Sequence, residues 1–431
     1  MKLNVLIFLS LSAWLWSAQA SGSCSSTNVR YASSSNILYL QTGGVCGLGE
    51  ISAFRPQQLV NQGGGVYLLK TNLKLTDGSV LLVDGDDLVS PVSEFRLLSN
   101  NTGATNSVVN ITADYGTVQI NNTKITSWNE AVQGPDTEYG TYKRAYIRVR
   151  SSTVDKQSRM DISNSDIGYL GYSASESYGL TWKVTGPLTQ VRVFGNIINS
   201  RIHHNYFGVF TYGAYGMMIS DNEVDHNVKY GLDPHDDSDY LSIIGNSAHH
   251  NGNHGIICSQ RCDNLVIRDN SSYSNTGHGI MLHRSVDHTL VENNLVFDNT
   301  DTGIALFESN NNVLRGNIVQ GNVRGIRLSV GSSNNQIEGN MIFGNSGNSI
   351  YTYQGSDTPA RAGNDGINRN NSWFRNTVTA SGNYILKLSA TDQDSFSDND
   401  FTGNPDAKFS VQGATNTSYT NNLLDPGMTL P

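Results

Sequence analysis

The sequence predicts an all-β protein, a right-handed parallel β-helix in which each turn of the solenoid takes 22–24 residues. Two columns of asparagine and one column of glycine carry this prediction. The first asparagine recurs in steps of 24, 24, 24, 23 and 23, and the second repeats the same steps. The columns are Asn222, Asn246, Asn270, Asn294, Asn317 and Asn340; Asn227, Asn251, Asn275, Asn299, Asn322 and Asn345; and Gly231, Gly255, Gly279, Gly303 and Gly325. Leucine-rich repeats have a similar period, but their leucine consensus is missing here.

Each predicted turn contains three short β-like pieces. In one turn they are Leu265–Ile267, Ser271–Tyr273 and Gly279–Leu282. Asparagine, aspartate and glycine separate the pieces, and these residues tolerate tight turns and left-handed conformations. Asparagines stacked at turns can bond to the backbone above and below, which explains the columns without any catalysis.

The third piece of each turn is where a functional surface is expected. After each column glycine, the first and third residues are mostly apolar and are predicted to point inward. The second and fourth residues then point outward, so His235, Ser259 and His283 form a predicted column on one outer face. A second column, Tyr230, His254 and His278, directly precedes the glycines. Such a face suits a long anionic polymer.

The chain is predicted to contain four regions. Residues 1–20 have the basic start, apolar run and small-residue end of a secretory signal, so the mature chain is expected to be secreted, or periplasmic in a bacterium. Residues 21–90 provide a cap and first strands, with a short helix within 51–60. Residues 91–345 form the β-helix with its groove, and 346–431 add closing strands and loops. No membrane span is expected after cleavage, and the protein is expected to be a monomer.

Cysteines and charge constrain the chemistry. The simplest of three disulfide connectivities pairs Cys24 with Cys46 and Cys258 with Cys262, with zinc binding as the alternative. The net charge of −9 excludes a general affinity for nucleic acid, so an acidic polymer must meet a local basic stripe. Sequons that could carry glycans, or be accidents of an Asn-rich chain, begin at Asn100, Asn110, Asn121 and Asn416.

The heptapeptide Tyr-Gly-Leu-Asp-Pro-His-Asp at 230–236 resembles the signature of the mannuronan C-5-epimerases. These enzymes convert β-D-mannuronate to α-L-guluronate within alginate. The resemblance extends over about residues 178–345 and includes Ser175–Leu180, Gly255–Ile257 and Arg261. The calcium-dependent modular enzymes carry Gly-Gly-x-Gly-x-Asp repeats, and none occur here. The chain is therefore more similar to the single-domain periplasmic and brown-algal types.

The reaction needs a base, an acid and a cation around one sugar. Removing the C5 proton beside a carboxylate builds up negative charge, and a proton must return from the opposite face. His235 is a candidate base or acid, Tyr230 takes the opposite role, and Asp233 orients the imidazole or the substrate. Arg261 is the predicted carboxylate clamp. The resemblance implies His235 as base and an arginine as neutraliser, while the residues alone leave the roles of His235 and Tyr230 open.

Further residues are candidates for substrate binding. Arg284 is the alternative clamp. In the family that the chain resembles, the arginine directly follows a serine, whereas here Gln260 stands between Ser259 and Arg261. The others are Asp236, His283, His254, His278, Arg201 and His203, with ordinary turn or surface residues as the alternative. Pro234 removes a ladder bond, a cost more easily understood at a functional site.

No cofactor and no metal are indicated, although the aspartates within 233–239 could form a calcium loop. Two other functions remain open. One is a polyuronate lyase that starts with the same proton abstraction. The other is a non-catalytic polysaccharide-binding β-helix.

Overall fold

The computed structural model describes residues 23–102, 105–140 and 143–430, and its strands coil into a parallel β-helix. Each turn contributes one strand to each of three long sheets, here called A, B and C. In one turn the chain passes through Ser242–Ile244 in sheet B, Ser247–His249 in sheet C and Ile256–Ser259 in sheet A. The predicted fold class is confirmed.

The strands are given by sheet. Sheet A contains Val29–Ala32, Ile37–Leu40, Asn72–Leu75, Asn110–Asp114, Tyr146–Ser151, Gly179–Val184, Phe207–Tyr212, Leu232–His235, Ile256–Ser259, Ile280–His283, Thr302–Phe307, Arg324–Ser329, Ile350–Tyr353, Tyr384–Leu388 and Lys408–Val411. Sheet B contains Val45–Gly47, Ser79–Asp84, Gly116–Asn121, Arg159–Ser163, Phe194–Ile198, Met218–Ser220, Ser242–Ile244, Val266–Arg268, Leu290–Glu292, Val313–Arg315, Gln336–Glu338, Ser372–Phe374, Ser395–Ser397 and Ser418–Thr420. Sheet C contains Leu59–Gly63, Val66–Leu69, Glu94–Thr102, Lys124–Asn129, Asp166–Gly168, Arg201–His203, Glu223–Asp225, Ser247–His249, Ser271–Tyr273, Leu295–Phe297, Ile318–Gln320, Met341–Phe343 and Thr377–Thr379, with Thr105–Val108 and Gly134–Pro135 at its margins. A small fourth sheet contains Asn368–Arg369, Thr391–Asp392 and Ala414–Thr415.

The start of the coil is closed by antiparallel pairs and a short helix. Val29–Ala32 pairs antiparallel with Ile37–Leu40, and Leu59–Gly63 pairs antiparallel with Val66–Leu69. The helix spans Leu48–Phe54, so it begins earlier than the predicted 51–60 and ends before Pro56. A disulfide joins Cys24 to Cys46, as predicted. The predicted signal at 1–20 lies outside the described residues.

The coil extends beyond both predicted limits, 91 and 345. Its parallel pairing already includes Ile37–Leu40 with Asn72–Leu75, and it continues to Ser418–Thr420. The ladder steps by 36 residues from Asn340 to Asn376, and 23-residue steps follow. An insertion in that one turn hides the period, so the regular spacing in the sequence ends at 345.

The two predicted asparagine columns are buried hydrogen-bonded ladders. The backbone N–H and the side-chain amide of Asn246 both donate to Oδ1 of Asn270, at 2.9 and 3.0 Å. Asn270 repeats this with Asn294 and also donates to the carbonyl of Ile243. Each net bond contributes about 1 kcal/mol, and each buried group left unpaired would cost more. The ladders therefore satisfy the polar backbone at every corner.

Apolar side chains fill the space between the sheets, as the predicted alternation requires. Ile256, Cys258, Ile280 and Leu282 are fully buried on the inner side of sheet A. The prediction of a disulfide between Cys258 and Cys262 is wrong, because both are free buried thiols. Cys258 occupies a core position beside Leu282, and the Cys262 thiol donates to the carbonyl of Ser259 at 3.2 Å. Among the residues described, no helix is long and apolar enough to cross a membrane.

Candidate active site

A groove of about 460 Å³ lies on the outer face of sheet A. It is lined by carboxylates, imidazoles, a lysine and a group of aromatic rings, and most of the predicted site residues lie in it. The lining includes Tyr178, Lys183, Phe207, Phe210, Tyr212, Tyr230, Asp233, His235, Asp236, His254, Ile257, Ser259, Gln260, Met281 and His283.

The register of the strands aligns one column of this groove. Ser259 pairs with His235 on one side and with His283 on the other, so the predicted outer column is confirmed. The column continues in the other direction through Tyr212 to Lys183. Successive members are separated by one turn, roughly 4.8 Å.

His235 ends its strand with its imidazole in the groove, where 24% of the side chain is exposed. Its Nδ1 is hydrogen-bonded to Oδ2 of Asp236. Burial lowers the pKa of His235, but the bond to Asp236 and the charges of Asp233 and Asp236 outweigh it and raise the pKa overall. With Nδ1–H donated to Asp236, Nε2 is the nitrogen left to act on a ligand.

Asp236 is itself held by Arg261. Asp236 and Asp237 both adopt left-handed conformations and turn the chain directly after His235. The Arg261 Nη2 donates to Oδ1 of Asp236 at 2.6 Å and to Oδ2 of Asp237 at 2.9 Å. Its guanidinium is thus bonded to two carboxylates. Arg261 does not line the groove itself, but it contacts Asp236, which does. Arg284 forms an ion pair with Asp357, and neither arginine lines the groove.

Asp233 is a buried carboxylic acid on the floor of the groove. Only 2% of the residue is exposed, although its predicted orientation is outward. Its Oδ1 accepts no hydrogen bond from the described residues. Burial raises the pKa of Asp233 to about 7, with His235 acting against the shift and Asp236 adding to it. Near neutral pH, Asp233 is therefore a donor as well as an acceptor.

Three rings stack along the edge of the groove, as the column of residues before the glycines predicted. The Tyr230 ring lies 5.4 Å from His254, and His254 lies 4.7 Å from His278. Burial and the charge of Asp233 raise the pKa of Tyr230, so its hydroxyl remains protonated. Burial lowers the pKa of His254 to about 4, which makes it a neutral donor or acceptor. His278 is more deeply buried and does not line the groove.

His283 is the second imidazole of the His235 column. Its Nδ1 lies 2.9 Å from the hydroxyl of Ser259, and its ring contacts Phe307. Burial, followed by the charge of Arg284, lowers the pKa of His283 to about 4. His283 is therefore neutral over the pH range in which His235 titrates.

A family model covers more than half of the chain. The model described as "Periplasmic copper-binding protein (NosD)" matches residues 188–359 and 297–426. The chain belongs to the NosD family. Among the described residues, however, no group of three or more His, Cys, Asp or Glu side chains is placed to hold a metal ion. The carboxylates of the suggested calcium loop instead accept hydrogen bonds from Arg261 and His235. These residues do not fit a copper or calcium centre.

This NosD-family chain is also similar to curated epimerases. It is 30% identical over 211 residues to the mannuronan C5-epimerase of Pseudomonas aeruginosa and 30% identical over 210 residues to the mannuronan C5-epimerase AlgG of Azotobacter vinelandii. Each match covers 47% of this chain, and 36% and 37% of the respective relatives. These relatives confirm the resemblance to the mannuronan C-5-epimerase family, although they do not test the heptapeptide itself.

Solved structures share the fold. The crystal structure of the periplasmic alginate epimerase AlgG aligns with a TM-score of 0.71 and 24% identity, over 90% of this chain and 85% of that one. The A-module of the Azotobacter vinelandii mannuronan C-5 epimerase AlgE6 aligns with a TM-score of 0.54 and 16% identity, over 88% of this chain and 96% of that module. Both comparisons support the β-helix.

Two residues predicted as substrate-binding lie on a different face of this NosD-family coil. Arg201 and His203 belong to sheet C, whereas His235 belongs to sheet A. Arg201 forms a bidentate pair with Asp225, and His203 is bonded to Asp166. The prediction that Arg201 and His203 bind the substrate beside His235 is wrong, because the strand Arg201–His203 belongs to sheet C and faces away from the groove on sheet A.

The sequence interpretation missed the lysine of the groove. Lys183 lies two turns from His235 in the same column, and its Nζ is 3.1 Å from the centre of the Tyr212 ring. It forms no ion pair with a carboxylate of the described residues within 4.0 Å. Burial lowers the pKa of Lys183, with Glu176 and Asp236 opposing that shift. The available signal was that Lys183 lies within residues 178–345, over which the resemblance extends.

Proposed function

We propose that this protein is a mannuronan C-5-epimerase that converts β-D-mannuronate to α-L-guluronate within the alginate polymer. The observation that carries the proposal is a single groove lined by the oriented imidazole of His235, the protonated phenol of Tyr230 and the lysine Lys183. The similarity to proteins named mannuronan C5-epimerase supports it. The chain spans just over a third of the length of those relatives, so their activity is proposed here on the groove.

His235 acts as the base. The Nδ1–H of His235 donates a hydrogen bond to Asp236, so the lone pair of Nε2 is available to accept the C5 proton. The raised pKa strengthens the base while keeping a large neutral fraction above that pKa. Arg261 is a positioning residue in this scheme, because it holds Asp236 and makes no contact with the groove.

Tyr230 acts as the acid on the opposite face of the sugar. Its raised pKa keeps the hydroxyl protonated near neutrality, so it is suited to donate a proton and unsuited to remove one. The opposite pKa arguments for His235 and Tyr230 support separate roles in this proposal. After one turnover, solvent returns a proton to Tyr230 and takes one from His235.

Lys183 and Asp233 stabilise the charge that develops on the C5 carboxylate. Lys183 is the cation that lines the groove, and it lies in the column of His235. Asp233 has a pKa of about 7 and a free carboxyl oxygen, so its protonated form can donate to the substrate carboxylate. A half-buried cation and a buried neutral acid stabilise an enolate more than the same groups in water.

In this proposal the protein binds its polyuronate substrate outside the cytoplasm. The open groove on a flat sheet face accepts an extended chain passing through it, and the expected signal at 1–20 directs export. A periplasmic location is proposed by analogy with the periplasmic AlgG of the same fold.

The deciding experiment follows polymannuronate incubated with the protein in D2O by proton NMR. We expect guluronate signals to grow and deuterium to enter at C5. His235→Gln is expected to reduce the rate about 10²–10⁴-fold, the usual contribution of a general base. His250→Gln, an exposed imidazole at the sheet C corner, is the matched control and should retain full activity.

Ultraviolet absorbance in the same reactions tests the alternative. An unsaturated product at the non-reducing end, formed in place of guluronate, would identify a lyase. Binding of polymannuronate with neither product would identify a non-catalytic polysaccharide-binding protein.

A further inference from the structure

Arg327 is a buried cation that forms no ion pair with the described residues. It lies on the outer face of sheet A, and only 8% of the residue is exposed. Its Nε is buried and makes no hydrogen bond within the described part of the chain. Arg324, on the same strand, forms an ion pair with Asp301, whereas no carboxylate of the described residues lies within 4.0 Å of the Arg327 guanidinium. A buried charge of this kind is costly unless a counter-charge reaches it.

The imidazole that is hydrogen-bonded to Arg327 cannot neutralise its charge. Nη2 of Arg327 lies 3.2 Å from Nε2 of His278. The other ring nitrogen, Nδ1, accepts the backbone N–H of Thr302 at 3.2 Å. A neutral imidazole has only one nitrogen lone pair to offer in the ring plane, so both donors cannot be satisfied at once. Burial, followed by the charge of Arg327, lowers the pKa of His278. The imidazole therefore stays neutral beside the Arg327 guanidinium.

The strand register places Arg327 in the same column of sheet A as Asp233, along which the proposed polymer would lie. It pairs with Ala305, which pairs with Met281, which pairs with Ile257, the residue one turn beyond Asp233. Four turns at about 4.8 Å separate it from the reacting site, roughly 19 Å. The floor between is apolar. An extended polymer lying along sheet A would therefore meet no further fixed charge on this floor before Arg327.

Aromatic rings and a second cation surround Arg327 on its far side. Tyr351 pairs with it on the next turn and stacks on Tyr353 with ring centroids 4.8 Å apart. Lys387 follows on the turn after, with Nζ 5.5 Å from the centre of the Tyr351 ring. Cations beside tyrosine rings are suited to a sugar that carries a carboxylate.

We propose that Arg327, with Tyr351 and Lys387, forms a distal subsite that binds a carboxylate of the polyuronate about four turns from the residue being converted. The proposal rests on the proposed function for the identity of the polymer. Its consequence is a dependence on chain length. Only a polymer long enough to reach from His235 to Arg327 gains this contact, so the subsite adds affinity for long chains without touching the reacting sugar.

The binding arm uses the inactive His235→Gln protein and calorimetric titration with polymannuronate. Adding Arg327→Met should raise the dissociation constant about tenfold, because it removes one charge-assisted contact and so weakens binding. Arg315→Gln, an exposed sheet B arginine paired with Glu292, removes the same charge elsewhere and should leave the constant unchanged. An unchanged constant for Arg327→Met, with an unchanged unfolding midpoint, would overturn the subsite.

The activity arm separates this inference from the proposed function. In the otherwise native protein, Arg327→Met should raise KM for the polymer about tenfold and leave kcat unchanged, since the contact is remote from the reacting sugar. On a mannuronate oligomer too short to span four turns, kcat/KM should not change. Equal losses on short and long substrates would overturn the inference. Polymer binding that depends on Arg327 without any epimerisation would overturn the proposed function alone.

Lys387→Met provides a second test at a half-buried position, should Arg327→Met fail to fold. It should weaken polymer binding several-fold, by the same loss of a cation from the subsite. Unchanged binding for this folded variant would also contradict the subsite.

Discussion

Oδ2 of Asp236 is hydrogen-bonded to Nδ1 of His235, and this bond decides which nitrogen of His235 faces the groove. The same carboxylate accepts a hydrogen bond from Arg261 on its other oxygen. The three side chains form a hydrogen-bonded chain from solvent to groove, in which His235 and Asp236 line the groove and Arg261 does not. The charge of Asp236 raises the pKa of His235, and the charge of Arg261 lowers it.

Asp236→Asn should weaken the base and shift the pH profile. The neutral amide no longer raises the pKa of His235, so the acidic limb of kcat/KM should move to lower pH. The maximum rate should fall about 10–100-fold, as for other residues that orient a catalytic imidazole. The measurement is the initial rate of guluronate formation between pH 5 and 9. Asp237→Asn, which loses a bond to Arg261 but none to His235, is the control. An unshifted limb would contradict the role of Asp236.

Arg261→Ala should move the same limb in the opposite direction. Removing the guanidinium removes the charge that lowers the pKa of His235, so the neutral base should appear only at higher pH. We expect a loss of about tenfold at neutral pH, much larger than for Arg284→Ala, whose partner Asp357 lies outside the groove. A larger effect of the Arg284 change would show that the assignment of the arginines is wrong.

Tyr230→Phe should abolish most activity while leaving the fold intact. The ring still packs against His254 and Phe207, so only the hydroxyl is lost. The expected decrease in kcat is about 10²–10⁴-fold, the contribution of a general acid. Exchange of the C5 proton with solvent, measured by mass spectrometry in D2O, should persist more strongly than net epimerisation, because His235 remains. Loss of exchange and epimerisation to the same extent would instead place Tyr230 in the first proton transfer.

The sequence predicted what depends on the repeat and missed what depends on irregular turns. The asparagine columns have constant steps between residues 222 and 345, so register, corners and the His235 column could be derived from spacing. Lys183 lies in turns of variable length before that region, and no spacing relates it to His235. The burial of Asp233 also escaped prediction. Alternation places its side chain outward into the groove, where Tyr178, Phe207, Phe210 and Tyr230 also line the surface and only 2% of Asp233 stays exposed.

Asn270→Ala should destabilise the coil strongly. The change removes the acceptor of two bonds from Asn246 and two bonds donated by Asn270, all of them buried. Leaving the backbone N–H of Asn246 unpaired in the interior gives an expected loss of about 3 kcal/mol in unfolding free energy. Urea denaturation measures it. Asn383→Ala, an exposed asparagine outside the ladders, should change the free energy by less than about 0.5 kcal/mol. Equal effects would mean that the ladder adds no stability.

Asp394 should make the stability of the protein depend on pH. It occupies an asparagine position of a ladder, where Oδ1 accepts two bonds from Asn371 while Oδ2 accepts none within the described residues. Burial raises the pKa of Asp394 to about 7, well above the ordinary aspartate value of 3.8. The folded protein therefore binds the proton more tightly than the unfolded chain. This contribution to stability is fully present below about pH 4 and is lost as the pH rises to about 7.

Asp394→Asn should flatten that dependence. Urea titrations give the unfolding free energy of the native protein minus that of the variant, and this difference should be clearly larger at pH 5 than at pH 8. Asp233, whose pKa is also raised to about 7 by burial, contributes a second and similar slope. His254 and His283, whose pKa values burial lowers to about 4, contribute slopes of the opposite sign, which the comparison of native and variant proteins cancels. The change in the native-minus-variant difference between pH 5 and pH 8 should be about twice as large for Asp233→Asn with Asp394→Asn as for Asp394→Asn alone. An equal native-minus-variant difference for Asp394→Asn at the two pH values would show that this carboxyl is already ionised in the folded coil at pH 5.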